Sequence, residues 1–288
     1  MSQTLTGSQS AIMTVYRDQF IAGAERGLSV LKDCVTTDYI NKGGSYVFLV
    51  ADSGAATAVT RGLNGKIPGY VVNNNQLTVT LTEQHAPYET TDFNVFQSQG
   101  PQLEIMRMSC TNVLGRKIDS EIFTAMDTCT QGVSTTATTD VLGLMTSGQT
   151  LLGRNDFATD DGNVTAVIST TFFNALKATK EFGNVNWSNT KAHEEGIPNQ
   201  RRIYDWNGTK ILVHNGVPGV GTASEKNFIF HKNAVGFAMD KLDVELGYLP
   251  RDRMSFSIAS ANMGAKLLQN GGCIELLYDA SGVAAASV

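Results

Sequence analysis

The sequence predicts an α+β fold. Strand-like alternation clusters between Gly43 and Phe96 and returns past residue 200, one long helical pattern lies between them, and no regular strand–helix–strand rhythm joins the two. With 288 residues the chain has material for one large domain or two modest ones, and for a true hydrophobic core.

The first segment, "SQSAIMTVYRDQFIAGAERGLSVLKDC", places Ile12, Tyr16, Phe20, Ala24, Leu28 and Leu31 on a drifting four-residue stripe, as in an amphipathic helix. Gly23 and Gly27 weaken it. Next come the strand candidates "SYVFLVADSG", "GYVV", "QLTVTL" and "TTDFNVF", punctuated by Gly, Asn and Pro. Within "YVVNNNQLTVTLTEQ", Leu77, Val79 and Leu81 alternate with Thr78, Thr80 and Thr82, so one face is apolar and the other carries hydroxyls. The "NNNQ" reads as a turn that folds Tyr70–Val72 back on this strand. A lone hairpin is marginal in water, so this ribbon needs something to pack against.

The period then changes. In "GPQLEIMRMSCTNVLGRKIDSEIFTAMDTC", Leu103, Met106, Cys110, Val113, Leu114, Lys117, Glu121 and Met126 run through several helical turns, with Pro101 in the first turn. This predicts the longest element of the chain. After a Thr-rich stretch, Asp140 is set to cap a helix from Val141 to about Leu152. "VTAVIS" reads as a buried strand, with Thr170 or Thr171 capping the helix "FFNALKATKEF". Asn207-Gly208 marks a hairpin in "IYDWNGTKILVHNGVPG". "KNFIFHKNAVGFAMD" reads as a strand joined to a short helix, and "RMSFSIASANMGAKLLQNGGCIELLYD" as two strands across Asn270 to Gly272.

Charge and composition exclude several classes of function. Asp and Glu number 27 against 22 Lys and Arg, and this deficit of cations argues against a surface built to grip nucleic-acid phosphates. Charged residues make up 17% of the chain against roughly 25% in typical soluble domains, which leaves a Ser-, Thr- and Asn-rich surface that is cheap to bury against partners. No apolar run nears the roughly 20 residues of a membrane span, and "MSQTLTGSQSAIM" has no secretory pattern, so a reducing cytoplasm is the expected place of synthesis. Cys34, Cys110, Cys129 and Cys273 are scattered and are expected as buried free thiols. Asn163, Asn186 and Asn207 open N-x-S/T triplets, which are chance matches without a secretory route.

The catalytic motifs fail one by one. "HEEGI" at His193 has Ile197 where a zinc-protease helix needs its second His, and His85, His214 and His231 lie far away in sequence. "NGK" at Asn64–Lys66 lacks the glycine and hydroxyl residue of a phosphate-binding loop. In "NDFATDDGN", aligning Gly162 with the glycine of a calcium loop puts Phe157 and Ile168 at ligand positions, so Asp160 and Asp161 read as solvated carboxylates. "VPGVGTA" orders its glycines wrongly for a dinucleotide loop, and no G-x-S-x-G elbow occurs. No enzyme, cofactor or metal site is expected.

Four ordered stretches carry a resemblance: "FLVADSGAATAVTRGLNGKIP", "FNVFQSQGPQLEIMRMSCTNVLGRKIDSEIF", "HNGVPGVGTASEKNFIFHKNAVGFAMD" and "ANMGAKLLQNGGCIELLYD". In this order they resemble the major capsid proteins of tailed bacteriophages, over nearly the whole chain. The resemblance implies the Hong Kong 97 type fold, with residues 1–42 as N-terminal arm, 43–96 as extended loop, 97–139 and 248–288 as peripheral domain, and 140–247 as axial domain. It implies self-assembly into pentamers and hexamers of an icosahedral head around double-stranded DNA, with scaffolding, portal and cement proteins as further partners.

The ribbon's packing partner would then be another copy of the chain. Tyr16, Phe20, Arg61, Lys66, Tyr70, Leu77, Val79, Leu81, Arg201 and Arg202 are the expected intersubunit contacts. Some members of the wider fold group weld subunits through Lys and Asn. Lys42, Lys66 and Asn73–Asn75 sit in the loop region, yet no matching signature accompanies them, so non-covalent locking is expected. A phage tail or head-decoration protein is the alternative class, since β-rich, Thr- and Gly-rich chains also suit adhesins.

Overall fold

The computed structural model describes residues 29–52, 58–62, 64–67, 73–97, 102–134, 140–159, 161–179, 182 and 204–282. Of the expected first helix only residues 29–34 are among them, with Leu31–Asp33 in a short 3-10 turn. In chain order the described strands are β1 (Thr36–Tyr39), β2 (Ser45–Asp52), β3 (Asn73–Thr80), β4 (Thr82–Thr91), β5 (Gly132–Ser134), β6 (Val164–Ile168), β7 (Tyr204–Trp206), β8 (Thr209–Val213), β9 (Glu225–His231), β10 (Val235–Met239), β11 (Asp243–Leu249), β12 (Met254–Leu267) and β13 (Cys273–Tyr278). The helices are α1 (Asp92–Gln97), α2 (Gln102–Met126), α3 (Val141–Arg154) and α4 (Thr170–Ala178).

The chain forms two compact units. Among the described residues, one comprises those within 85–114 and 242–260; the other comprises those within 29–84, 115–241 and 261–282. The larger unit is built on a six-stranded sheet in the order β5-β13-β9-β6-β8-β7. β6 lies at its centre, parallel to β8 and antiparallel to β9, and all five of its residues are buried. That matches the uninterrupted apolar run expected of a strand covered on both faces. On one face α3 lays down Val141, Leu144, Met145 and Leu152, and α4 adds Phe172, Phe173 and Leu176, against Ala166, Ile168, Ile211, Ile229 and Ile274. The spacing of these helical residues is one apolar stripe of period near 3.6. Elsewhere in the same unit Phe123 of α2 sits 6.4 Å, ring to ring, from the fully buried Phe228.

The same unit holds β1, parallel to β10, and β10 pairs antiparallel with Leu267–Met263 of β12. It also holds a two-stranded ribbon, β2 against β3. In the smaller unit β11 pairs antiparallel with Met254–Ser260 of β12. β4 also pairs with β12; it has no second strand partner among the described residues, and that edge position tolerates Pro87 in mid-strand.

Several predicted elements stand as expected: α2, α3 with the Asp140 cap accepting from Gly143 N at 3.2 Å, the buried strand β6, and the β7–β8 hairpin. Asn207 and Gly208 take φ of 49° and 74°, the left-handed pair that a two-residue turn demands.

Others differ. Asn73–Gln76 do not turn; they continue β3 and pair with Asp52–Leu49, because an eight-residue partner strand satisfies their backbone groups better than local Asn bonding does. "TTDFNVF" splits: Thr91 ends β4, and its hydroxyl accepts from Asn94 N at 3.3 Å to start helix α1. Ser169, rather than Thr170 or Thr171, caps α4, accepting from Phe172 N at 3.0 Å. "AVGFAMD" is strand β10 rather than a helix, since Val235–Met239 are buried on both faces between β1 and β12. "DVELGYL" forms β11, which periodicity had left unassigned. β12 and β13 flank Asn270–Gly272 as expected but belong to different sheets.

Candidate assembly interface

Cross-strand register sorts the ribbon's side chains. Tyr46, Phe48 and Val50 pair with Val79, Leu77 and Asn75 and share one face; Val47, Leu49 and Ala51 pair with Thr78, Gln76 and Asn74 and share the other. The expected split between Leu77, Val79, Leu81 and the three threonines holds: the first three are buried or half-buried, and Thr78, Thr80 and Thr82 are exposed.

The ribbon is not free of its own chain. Phe48 and Val79 are buried in a cluster with Ala238, flanked by Ile40, Tyr46, Leu81 and Leu268. Two glycines make room for it. A Cβ on Gly264 would lie 2.6 Å from Thr80 O and 2.8 Å from Val79 Cγ1, and one on Gly236 would lie 2.9 Å from Phe48 Cε2. Lys266 Nζ donates to Thr78 O at 2.9 Å, and Thr82 Oγ1 to Met263 O at 3.2 Å. The expectation that the whole stretch from Tyr70 to Gln84 lacks private packing is therefore corrected. Val79, expected as a contact to a neighbour, is 3% exposed and spent inside the subunit.

Beyond that base the ribbon opens to solvent. Leu49 is 76% exposed, Ile67 64%, and Val47 and Val59 are also exposed. Arg61 and Lys66 are exposed, in a stretch where Gly62 N donates to Lys66 O at 3.0 Å. Tyr16, Phe20, Tyr70, Arg201 and Arg202 lie outside the described residues. Sequence reasoning missed Leu49 as a contact candidate, although the alternation in "YVFLVAD" carries the signal. It also missed the smaller unit, where Phe93, Leu246 and Tyr248 are exposed.

The polar interior of the larger unit is structural. Asp119 of α2 accepts from Ser29 Oγ at 2.5 Å, from the backbone N–H groups of Val30 and Leu31 at 3.2 and 3.3 Å, and from His214 Nε2 at 2.9 Å. Gly216 N donates to His214 Nδ1 at 2.7 Å, which leaves Nε2 as the donor toward Asp119. Burial raises the Asp119 carboxyl, but the hydrogen bonds from His214 and Ser29 outweigh it and hold the group below the usual carboxylate range. Glu225, fully buried, accepts from Ser169 Oγ, Thr171 Oγ1, Gly221 N and Asn227 Nδ2.

Asp161 of the acidic loop is bonded by His231 and Asn163, and these hold its carboxyl down at about 2. No group of three or more His, Cys, Asp or Glu among the described residues is placed to hold a metal ion. His193 and the rest of "HEEGI" fall outside them.

Among the described residues, the ribbon thus carries apolar side chains, Val47 and Leu49, that the core leaves exposed. A profile described as "Phage capsid protein" matches residues 9–280, and the chain belongs to that family. No curated protein matches the sequence closely enough to count. Among solved structures, the capsid of the cyanophage P-SCSP1u is 15% identical, covering 96% of each chain with a TM-score of 0.68. One from Mycobacterium phage Che8 is 15% identical, covering 93% of this chain and 98% of that one with a TM-score of 0.70. The capsid of Ralstonia phage GP4 is 10% identical, covering 99% and 100% with a TM-score of 0.71. The fold is the Hong Kong 97 type, and the chain is a phage major capsid protein, a structural part of the virion and not an enzyme.

Proposed function

We propose that copies of this protein gather into pentamers and hexamers and close an icosahedral head around double-stranded DNA, with the β2–β3 ribbon reaching onto an adjacent subunit. The observation that carries this is the division of the ribbon. Its base is seated on Ala238, Gly236 and Gly264, while Leu49 and Ile67 stand 76% and 64% exposed. A large apolar side chain held out on a ribbon costs solvation unless a partner covers it, and about 1,600 Å² of total buried surface is ordinary for one specific contact.

Leu49, Arg61, Lys66, Leu77 and Leu81 are the described residues offered to that contact, joined by Tyr16, Phe20, Tyr70, Arg201 and Arg202 from the sequence reading. The division into arm (1–42), extended loop (43–96), peripheral domain (97–139, 248–288) and axial domain (140–247) belongs to the same proposal. So do scaffolding, portal and cement proteins as partners. The acidic balance of the chain suits a container that encloses DNA without gripping it.

Asp52 and Asn73 are directly paired, so a two-residue Asn-Gly turn can replace residues 53–72 without disturbing the ladder. The shortened protein is expected to fold, with the circular dichroism of the full chain, and to remain as subunits or small oligomers in electron micrographs. Closed shells of normal size and stability from this variant would refute the reach of the extended loop onto an adjacent subunit.

A further inference from the structure

Two cysteines far apart in sequence meet in the larger unit. Cys129 follows α2 and Cys273 opens β13, 144 positions later. Cys129 Sγ donates to the carbonyl oxygen of Cys273 at 2.6 Å, which sets its sulfur directly against that residue. Both flanks are pinned: Glu275 N donates to Gln131 O at 2.8 Å, Thr130 N to Asn270 Oδ1 at 3.0 Å, and Asn270 Nδ2 to Thr130 Oγ1 at 2.7 Å. The other two cysteines each donate to a backbone carbonyl, Cys34 to Val30 and Cys110 to Ser257. Cys273 is fully buried and Cys129 is 9% exposed, so a small oxidant meets Cys129 first.

We propose that Cys129 and Cys273 form an oxidation site, at which a hydroperoxide such as hydrogen peroxide converts the thiol pair into a disulfide that staples the end of α2 to the start of β13. The Cys129 thiolate attacks one peroxide oxygen; an S–O bond forms, the O–O bond breaks, and hydroxide leaves to be protonated. The Cys273 sulfur then attacks the sulfur of the Cys129 sulfenic acid. The S–S bond forms, the S–O bond breaks, and the hydroxyl departs as water with the Cys273 proton. In sum, two thiols and one peroxide give one disulfide and two waters.

The order of events follows from the environment. The Cys273 side chain beside it lowers Cys129 to about 7, and Gln131 N also points at its sulfur, at 3.4 Å. The same contact, with full burial, pushes Cys273 well up, so Cys129 is the first nucleophile and Cys273 the resolving thiol. A virion passes from a reducing cell to an oxidising exterior, which is where a bridge closing so long a loop forms and holds.

The test is a thiol count and peptide map of the full-length protein in assembled particles, before and after millimolar hydrogen peroxide. The expected result is a fall from four titratable thiols per chain to two, with a Cys129–Cys273 linked peptide that disappears under dithiothreitol. In C273S particles, a dimedone label is expected on Cys129 and no bridge. Four thiols retained, or oxidation that stops on Cys129 in the wild-type chain, or bridging through Cys34 or Cys110 instead, would overturn the proposal. The wild-type map stands even if C273S does not fold.

Discussion

β6 and the β2–β3 ribbon both draw on Val, Ala and Thr, yet they end in opposite surroundings. All five residues of β6 are buried, with Val164, Ala166 and Ile168 packed among side chains of α3 and α4, whereas the ribbon buries Phe48 and Val79 and leaves Leu49 at 76% exposure. What separates them is the number of layers each strand can reach. β6 has strands on both sides and helices above; the ribbon has one cross-strand partner and a short footing. The comparison teaches that the six-stranded sheet is covered within the single subunit, while the ribbon keeps apolar side chains in solvent, as the proposed reach onto an adjacent subunit requires.

Substitutions ranked by their effect on the isolated subunit sharpen this contrast. Phe228→Ala empties the packed side of the six-stranded sheet and is expected to cost about 3–5 kcal/mol, measured by urea unfolding. Asp119→Ala strands Ser29, His214 and two backbone N–H groups in the interior, for a loss of about 3 kcal/mol. Its carboxyl is depressed in the folded state, so its stabilisation is present above the unfolded value near ~3.9 and is lost as pH falls through the folded value. Acid unfolding of Asp119→Asn should accordingly lose part of the steepness seen in the wild-type chain below about pH 4.

Gly264→Val drives a side chain into Thr80 O and Val79, and is expected to cost about 1–3 kcal/mol while loosening the ribbon's base. Thermal melting measures the loss, and limited proteolysis between residues 45 and 80 reports the loosening. Leu49→Ser comes last, with a change within about 0.5 kcal/mol in the subunit, because most of that residue is open to solvent among the described residues. The same substitution is expected to reduce the yield of closed shells in sedimentation. A large loss of subunit stability from Leu49→Ser would erase the distinction between the two regions.

Periodicity made much of the fold legible. The long stripe from Met106 to Met126, the Asp140 cap and the Asn207-Gly208 turn each depend on residues close in sequence, and each appears in its place. The failures share a cause. Asn73–Asn75 turn by local preference but extend by pairing with β2, and "AVGFAMD" is held as a strand by β1 and β12, which lie far off in the chain. The ribbon's two faces were readable from alternation. Which of them is spent at home was not, because that depends on Gly236 and Gly264, whose missing side chains matter only once Phe48 and Val79 arrive.

Amide hydrogen exchange, compared between free subunits and closed shells, tests the central claim most directly. The account predicts that amides of β2 and β3 beyond the Phe48–Val79 footing slow by about tenfold or more on shell closure, while those of β6 and β9 keep the protection they already have. Equal protection of the ribbon in both states would contradict it.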